Sequence, residues 1–358
     1  MRLLLAGGGT GGHLFPAVAL AEQLRREEPE SEILFVGTER GLEYRLLPQL
    51  GWTLRTIPMS GWAGLSLGAR IKALAGLAKS MVQSRQIINE FRPSVVVGVG
   101  GYASVPVLLA ARLSGVPYLI HEQNAWPGLA NRLLGRWARR ICLSFAEAGK
   151  AYRRAPLVVT GNPVRAAMES CPELPEGKPR LLVFGGSHGA RAINRAIVAA
   201  LPHLQHWRGG LHIVHQAGAN EVETVEAGYR AVNWTDVEVL PFINDMASAY
   251  AGASLVVCRA GATTLAELTA CGRPAVLIPY PYAANNHQSL NASALAAKGA
   301  AIMIEERDLK PAELGTLLDG LLRDRQCLER MGATARNLAQ RGAAARLLAE
   351  CRAVAMAA

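Results

Sequence analysis

Leu3-Leu4-Leu5-Ala6-Gly7-Gly8-Gly9-Thr10-Gly11-Gly12-His13 near the start of the chain and Leu181-Leu182-Val183-Phe184-Gly185-Gly186-Ser187-His188-Gly189 in its middle follow one plan. Each is a short apolar run, a glycine-rich turn and then a stretch of helical composition. An apolar run that passes straight into glycines is how a strand of a parallel sheet hands over to a helix, because glycine permits a sharp turn and a close backbone approach to a ligand. Two copies in a chain of 358 residues predict an α/β protein of two tandem Rossmann-like domains facing across a cleft, since one core seldom grows that large.

Working outward, short β-branched or leucine-rich runs at 3–6, 33–36, 95–99, 118–121 and 141–144 are predicted strands of the first half. Those at 181–184, 211–215, 237–240, 255–257 and 275–278 are predicted strands of the second, with helical patterns between them, the signature of parallel architecture. Helices are expected at 16–26 and 190–201, and the turn-rich stretch 156–164 reads as a hinge. The domains are accordingly placed at 1–161 and 165–341. The Ala/Leu/Arg helix after Gly342 is expected to cross back to the first.

Half the residues are apolar and 18% are charged, which excludes a disordered chain. A formal charge of +10 favours an anionic partner. Nucleic acid is not expected, because the basic residues are dispersed and lack aromatic interleaving. The densest cluster, Arg132, Arg136, Arg139 and Arg140 continuing to Arg153 and Arg154, fits a solvated helix face or an anionic surface equally. Six scattered cysteines form no metal-ligand pattern and read as reduced thiols. Four apolar residues before Gly7 are too few for a signal peptide, and glycines and a proline interrupt the uncharged run 94–111, so no membrane span is expected.

The first turn formally satisfies G-x-G-x-x-G, so a nicotinamide enzyme is the plain alternative, with Glu39 as a loose candidate for the ribose. The second half carries chemistry which that reading leaves unused. The turn at 185–190 and the segment Arg259-Ala260-Gly261-Ala262-Thr263-Thr264-Leu265-Ala266-Glu267 are both helix starts, and two positive helix ends suit a diphosphate. Glu267 reads either as the partner of Thr264 in a capping box or as a carboxylate that grips a ribose diol.

Six ordered motifs then carry a resemblance: 8–13, Gly100-Gly101-Tyr102-Ala103-Ser104, His121-Glu122-Gln123-Asn124, Gly161-Asn162-Pro163-Val164-Arg165, Gly185-Gly186-Ser187 and Gly261-Ala262-Thr263-Thr264-x-x-Glu267. Together they resemble the MurG family of peptidoglycan glycosyltransferases over almost the whole chain. The resemblance implies the GT-B fold, transfer of N-acetylglucosamine from UDP-N-acetylglucosamine to lipid I with inversion, and a peripheral place on the cytoplasmic face of the bacterial inner membrane. By motif it implies uracil at the backbone of Ile243, Arg165 and Ser187 near the donor, and the ribose on Glu267. Ala262, Thr263, Thr264, Leu265, Ala266 and Gln288 would meet diphosphate and sugar, and Asn124 the N-acetylglucosamine. Thr10, Gly11 and Gly12 complete the cleft, and Gly100, Gly101 and Tyr102 form the acceptor loop. His287 and Asn244 depart from the family pattern, where Gln and an acidic residue are common.

An inverting transfer needs a base and stabilisation of the leaving UDP. No D-x-D triplet occurs, so neither metal nor cofactor is expected and helix ends should hold the diphosphate. The positive end of a helix disfavours a second proton on an imidazole, which makes His13 the candidate catalytic base, with Glu122 as runner-up. His13 equally fits a residue that only braces the loop. Membrane contact is expected from Trp62 and Leu65, while the stripe Leu67, Ile71, Leu74, Ala78 and Met81 suits either a bilayer or the core. An epimerase of the same fold and a non-catalytic sugar-nucleotide sensor complete the rival readings.

Overall fold

A computed structural model describes residues 1–59, 67–152, 155–283 and 286–357, with side chains left out over 67–75. It divides into two compact units, Met1–Arg165 with Gly342–Ala358, and Ala166–Arg341. The first holds strands β1 (Arg2–Gly7), β2 (Glu32–Gly37), β3 (Leu54–Thr56), β4 (Val95–Gly100), β5 (Tyr118–Glu122), β6 (Arg140–Leu143) and β7 (Leu157–Val159). Its helices are α1 (Gly11–Glu27), α2 (Leu42–Gln49), α3 (Leu67–Phe91), α4 (Ser104–Leu113) and α5 (Leu129–Leu134). The second holds α6 (Ala166–Glu169), β8 (Arg180–Phe184), α7 (Arg191–Ala200), β9 (His212–Gln216), α8 (Val222–Ala231), β10 (Val237–Leu240) and α9 (Met246–Gly252). It continues through β11 (Leu255–Cys258), α10 (Ala262–Cys271), β12 (Ala275–Leu277), α11 (His287–Ala296), β13 (Ala301–Met303), α12 (Pro311–Arg323) and α13 (Arg325–Asn337). The last helix, α14 (Ala343–Met356), belongs to the first unit.

Both sheets are parallel throughout, ordered β3-β2-β1-β4-β5-β6-β7 and β10-β9-β8-β11-β12-β13. The strand order reverses between β1 and β4 and again between β8 and β11. At such a point two successive crossovers leave on opposite faces and open a crevice at the carboxyl ends of the strands. Helices cover both faces, so the central strands are apolar without alternation. Leu3, Leu4, Leu5, Val95, Val96 and Val97 are all buried, as are Leu181, Leu182, Val183, Val256 and Val257, and each such side chain contributes about 1.5–3 kcal/mol.

Two expectations shift. The stretch read as a hinge opens with an edge strand, Val158 and Val159 lying beside Cys142 and Leu143, before Gly161 turns the chain at φ +82°. Helix α1 starts at Gly11 and runs through Pro16, not from it, so His13 falls in its first turn. Helix α14 packs on α1. Leu347, Leu348 and Cys351 are fully buried there, while Arg352 forks onto Glu27 and Glu28 at 2.6 and 2.7 Å at the surface. The apolar contacts dominate, because an exposed ion pair is worth about 1 kcal/mol at most.

Candidate active site

In the first unit the turn after β1 holds Gly7, Gly8 and Gly9 at positive φ (148°, 145° and 90°). It is fastened from an unforeseen direction. Glu43, in the first turn of α2, is completely buried. Its carboxylate accepts hydrogen bonds from the Gly9 N–H at 2.7 Å, the Thr38 N–H at 2.9 Å and the Thr38 hydroxyl at 3.0 Å. A Cβ on Gly8, Gly37 or Gly41 would stand 2.3, 2.5 or 2.1 Å from Glu43 atoms, so three glycines make the space for one carboxylate. No local motif announces Glu43, because its partners are brought in by the fold. Glu43→Ala removes a buried carboxylate that ties three donors together, leaves a cavity in its place and is expected to lower unfolding free energy by about 2–4 kcal/mol. Urea titration checks this, and an unchanged midpoint overturns the bracing role.

The loop after β4 closes against the same turn. Gly100 (φ +95°) faces the His13 ring, whose Nδ1 and Cε1 lie 3.0 Å from where a Cβ would sit. Gly101 (φ +78°) faces the Gly8 carbonyl oxygen at 2.4 Å on the same measure. Tyr102 is half exposed beyond them. Thr10, Gly11 and Gly12 begin α1, with the His13 and Leu14 N–H groups donating to the Thr10 carbonyl. Phe15 packs under Gly11, and the Arg165 guanidinium lies over the Phe15 ring, 4.8 Å from its centroid. Near Arg165 the Glu22 carboxyl is raised by burial, an effect that Arg165 opposes.

His121 and Glu122, which end β5, and Gln123 just past it are buried and hydrogen-bonded. His13 Nδ1 lies 3.1 Å from Gln123 Oε1. The Gln123 amide donates to the Val99 carbonyl at 2.9 Å and lies 3.1 Å from His121 Nδ1, and His121 Nε2 reaches the Gly161 carbonyl at 3.0 Å. Glu122 is 1% exposed. One of its oxygens accepts from the Asn124 N–H and side-chain amide at 3.0 and 3.3 Å, the other from the Asn131 amide at 2.8 Å. That arrangement holds Asn124 in place and leaves Glu122 little room to take a substrate proton.

In the second unit Gly186 (φ +89°) and Gly189 (φ +74°) shape the turn after β8, and a Cβ on Gly189 would meet the Ala217 carbonyl oxygen at 2.1 Å. Ser187 lies there with its hydroxyl 3.1 Å from His188 Nδ1. Gln216 ties this turn to the next loop, donating to the Gly186 carbonyl at 2.6 Å and accepting the Ile243 N–H at 3.2 Å. The segment after β11 corrects one expectation. Helix α10 is capped by Gly261 with no side-chain cap bond, and Thr264 is its third residue, so Thr264 and Glu267 do not form a capping box. Glu267 is instead 6% exposed, with the Tyr250 hydroxyl donating to it at 3.2 Å. Burial, with the Glu267 charge adding to it, pushes the Tyr250 phenol well up.

Ala262, Thr263, Leu265 and Ala266 share the first turns of α10 with these residues, and Ala262 and Thr263 are buried. Gln288, on α11, accepts the Ala260 and Tyr280 N–H groups at 3.2 and 2.9 Å, which sets the loop leading into α10. His287 begins α11, and Asn244 is exposed beside Asp245, whose carboxylate caps α9 by accepting the Ser248 N–H at 3.1 Å. Among the described residues no three His, Cys, Asp or Glu side chains gather as metal ligands. Sequence reasoning missed Glu43, Gln216 and Tyr250, and gave Gln123 no role.

The chain matches the model of the glycosyltransferase family 28 N-terminal domain over residues 3–143 and of the family 28 C-terminal domain over 180–347. It is 54% identical over 352 residues, 98% of each chain, to the UDP-N-acetylglucosamine–N-acetylmuramyl-(pentapeptide) pyrophosphoryl-undecaprenol N-acetylglucosamine transferase of Syntrophotalea carbinolica. Among solved structures it is similar to MurG of Acinetobacter baumannii, with 33% identity, TM-score 0.75 and coverage of 98% of this chain and 99% of that one. A putative UDP-N-acetylglucosamine 2-epimerase from Listeria monocytogenes shares only the fold, at 14% identity and TM-score 0.67, covering 97% and 94%.

Proposed function

The chain belongs to glycosyltransferase family 28, and on that footing we propose that it transfers N-acetylglucosamine from UDP-N-acetylglucosamine to lipid I with inversion at the anomeric carbon. Near-complete coverage at 54% identity to a transferase of that name carries the reading, and the fold-only likeness to an epimerase does not compete with it. In this reading the second unit holds the donor. Glu267 accepts the ribose hydroxyls, the carbonyl of Ile243 reads the uracil, and the turns at Ser187 and at Ala262, Thr263 and Thr264 receive the diphosphate on N–H groups at the positive ends of α7 and α10. Gln288, its oxygen already occupied, offers its amide N–H to the sugar. The first unit supplies His13 as base, Asn124 to the N-acetyl sugar, Arg165 beside the donor and the 100–102 loop to the acceptor.

UDP release that requires both UDP-N-acetylglucosamine and lipid I is the expected result; donor hydrolysis or rearrangement without acceptor overturns the reading. Glu267→Ala removes a charged acceptor worth about 1.5–3 kcal/mol, so the Kd for UDP should rise roughly 10- to 100-fold. Calorimetry reads this, and an unchanged Kd removes Glu267 from the ribose.

No described helix is long and apolar enough to cross a membrane, yet the acceptor is lipid-linked. Trp62 and Leu65 lie outside the described residues, as do the side chains of Leu67, Ile71 and Leu74 and residues Arg153 and Arg154. Farther along the stripe Met81 packs against the core and Ala78 is exposed. A different surface supports contact with the anionic inner leaflet. Leu129, Leu133, Trp126 and Trp137 are exposed around α5, with Arg132 and Arg136 lying over the two tryptophan rings. Apolar side chains interleaved with cations fit an acidic bilayer surface. Replacing Leu129 and Leu133 together by Ser should weaken partition onto phosphatidylglycerol vesicles about tenfold; sedimentation with unchanged partition excludes this face.

A further inference from the structure

Gln123 is 1% exposed, and two of the groups that face its side chain are of fixed polarity. Its amide nitrogen faces two backbone carbonyls, Val99 at 2.9 Å and His121 at 3.2 Å. A carbonyl oxygen only accepts, so the NH2 end must point there; reversing the amide would set its oxygen against both. The oxygen end then faces His13 Nδ1 at 3.1 Å, and an amide oxygen only accepts. Nδ1 therefore carries a proton. In a neutral imidazole the lone pair is left on the other nitrogen, and among the described residues Nε2 of His13 makes no hydrogen bond.

The same logic anchors Gln123 from behind. His121 Nε2 faces the Gly161 carbonyl at 3.0 Å and must donate, so Nδ1 of His121 accepts from the Gln123 amide. His121 is the titratable group coupled to His13, and it stays neutral. Burial pushes its pKa down to about 4, the bond to the Gly161 carbonyl opposes that, and the nearby His13 adds to it. On its other side the His13 ring rests against Gly100, which presents only backbone.

We propose that Gln123 is a positioning residue that locks His13 in the tautomer protonated at Nδ1, so that Nε2 takes the proton of the acceptor hydroxyl. The inference rests on His13 being the base. As the acceptor oxygen bonds to the anomeric carbon, its proton passes to Nε2. The bond from that carbon to the diphosphate oxygen breaks with its electron pair leaving on UDP, and the imidazolium afterwards returns its proton to water.

Ring 15N shifts of histidine-labelled protein at neutral pH read the tautomer directly, with the His13 signals assigned by their loss in His13→Gln. The expected result is a protonated Nδ1 and an unprotonated Nε2. Gln123→Met, which cannot accept from Nδ1, should lose that bias and lower kcat roughly 10- to 100-fold, with the KM for donor and the Kd for UDP within about threefold. The ring signals of Gln123→Met should report a mixture of the two His13 tautomers, a change that a merely structural role of Gln123 would not cause. A parent His13 protonated at Nε2, or a Gln123→Met enzyme with kcat within twofold, overturns the proposal. Should Gln123→Met fail to fold, the parent spectrum alone decides. Normal turnover by His13→Ala would sink the base while leaving the tautomer measurement intact, so the two failures are separable.

Discussion

His13→Ala is expected to lower kcat for acceptor-dependent UDP release by about 10²- to 10⁴-fold, the range that one positioned base contributes. UDP affinity should change little, because Glu267, Ile243, Ser187 and the start of α10, proposed for ribose, uracil and diphosphate, lie in the second unit. The ring sits in the first turn of α1 beside Gly100, with one nitrogen occupied by Gln123 and the other unbonded. Loss of a mere brace would act differently. Gln123 Oε1 would lose one partner, at a cost of about 1–3 kcal/mol in stability, while turnover of the folded enzyme stayed near normal. Measuring kcat at saturating substrates together with the urea midpoint separates the two. Glu122→Gln is the companion measurement. Both of its oxygens already serve Asn124 and Asn131, so its effect should fall on the donor KM more than on kcat. The reverse pattern would make Glu122 the base.

The parts of this protein legible in its sequence are those set by near neighbours or by burial on two faces. The runs around Leu3-Leu4-Leu5 and Leu181-Leu182-Val183 could be read as strands because a central parallel strand is apolar on every residue. Strands β3 and β13 escaped, being three-residue edge strands with little to bury: Leu54-Arg55-Thr56 carries an exposed arginine, and Ala301-Ile302-Met303 is only partly buried. The glycine turns were legible as ligand-binding loops, but what fastens them was not. Glu43 meets Gly9 from 34 positions away and His13 meets Gln123 from 110, distances over which no spacing rule operates. Local pattern misled at Thr264 and Glu267. The capping-box spacing is present there, but Gly261 already begins the helix three residues earlier. The carboxylate thereby lies more than one turn inside α10, where it meets Tyr250.

Gly101→Ala is expected to be as damaging as loss of the base, by a different route. At φ +78° an alanine is strained by roughly 1–3 kcal/mol whatever its surroundings, and its Cβ would stand 2.4 Å from the Gly8 carbonyl oxygen. That neighbour is backbone and cannot rotate away. Gly8 in turn is pinned, since a Glu43 oxygen holds the next residue's N–H at 2.7 Å. Relief therefore has to come from parting the two loops by several tenths of an ångström or more, which shifts the His13 ring resting on Gly100. Displacement of a catalytic group on that scale costs about 10²-fold in rate, so kcat should fall about that far, with unfolding free energy lower by about 2–4 kcal/mol. Gly12→Ala is the internal comparison. Gly12 has no positive φ, and a Cβ there meets only the Thr10 hydroxyl at 3.7 Å. Helix propensity favours alanine over glycine by about 1 kcal/mol in a helix interior and by less in a first turn, so its stability should hold or rise. Any rise in substrate KM in that variant reports contact with substrate at the start of α1 and not a distorted turn. If Gly101→Ala matched the parent in both stability and kcat, the close packing of the two glycine loops would not be what sets the position of His13.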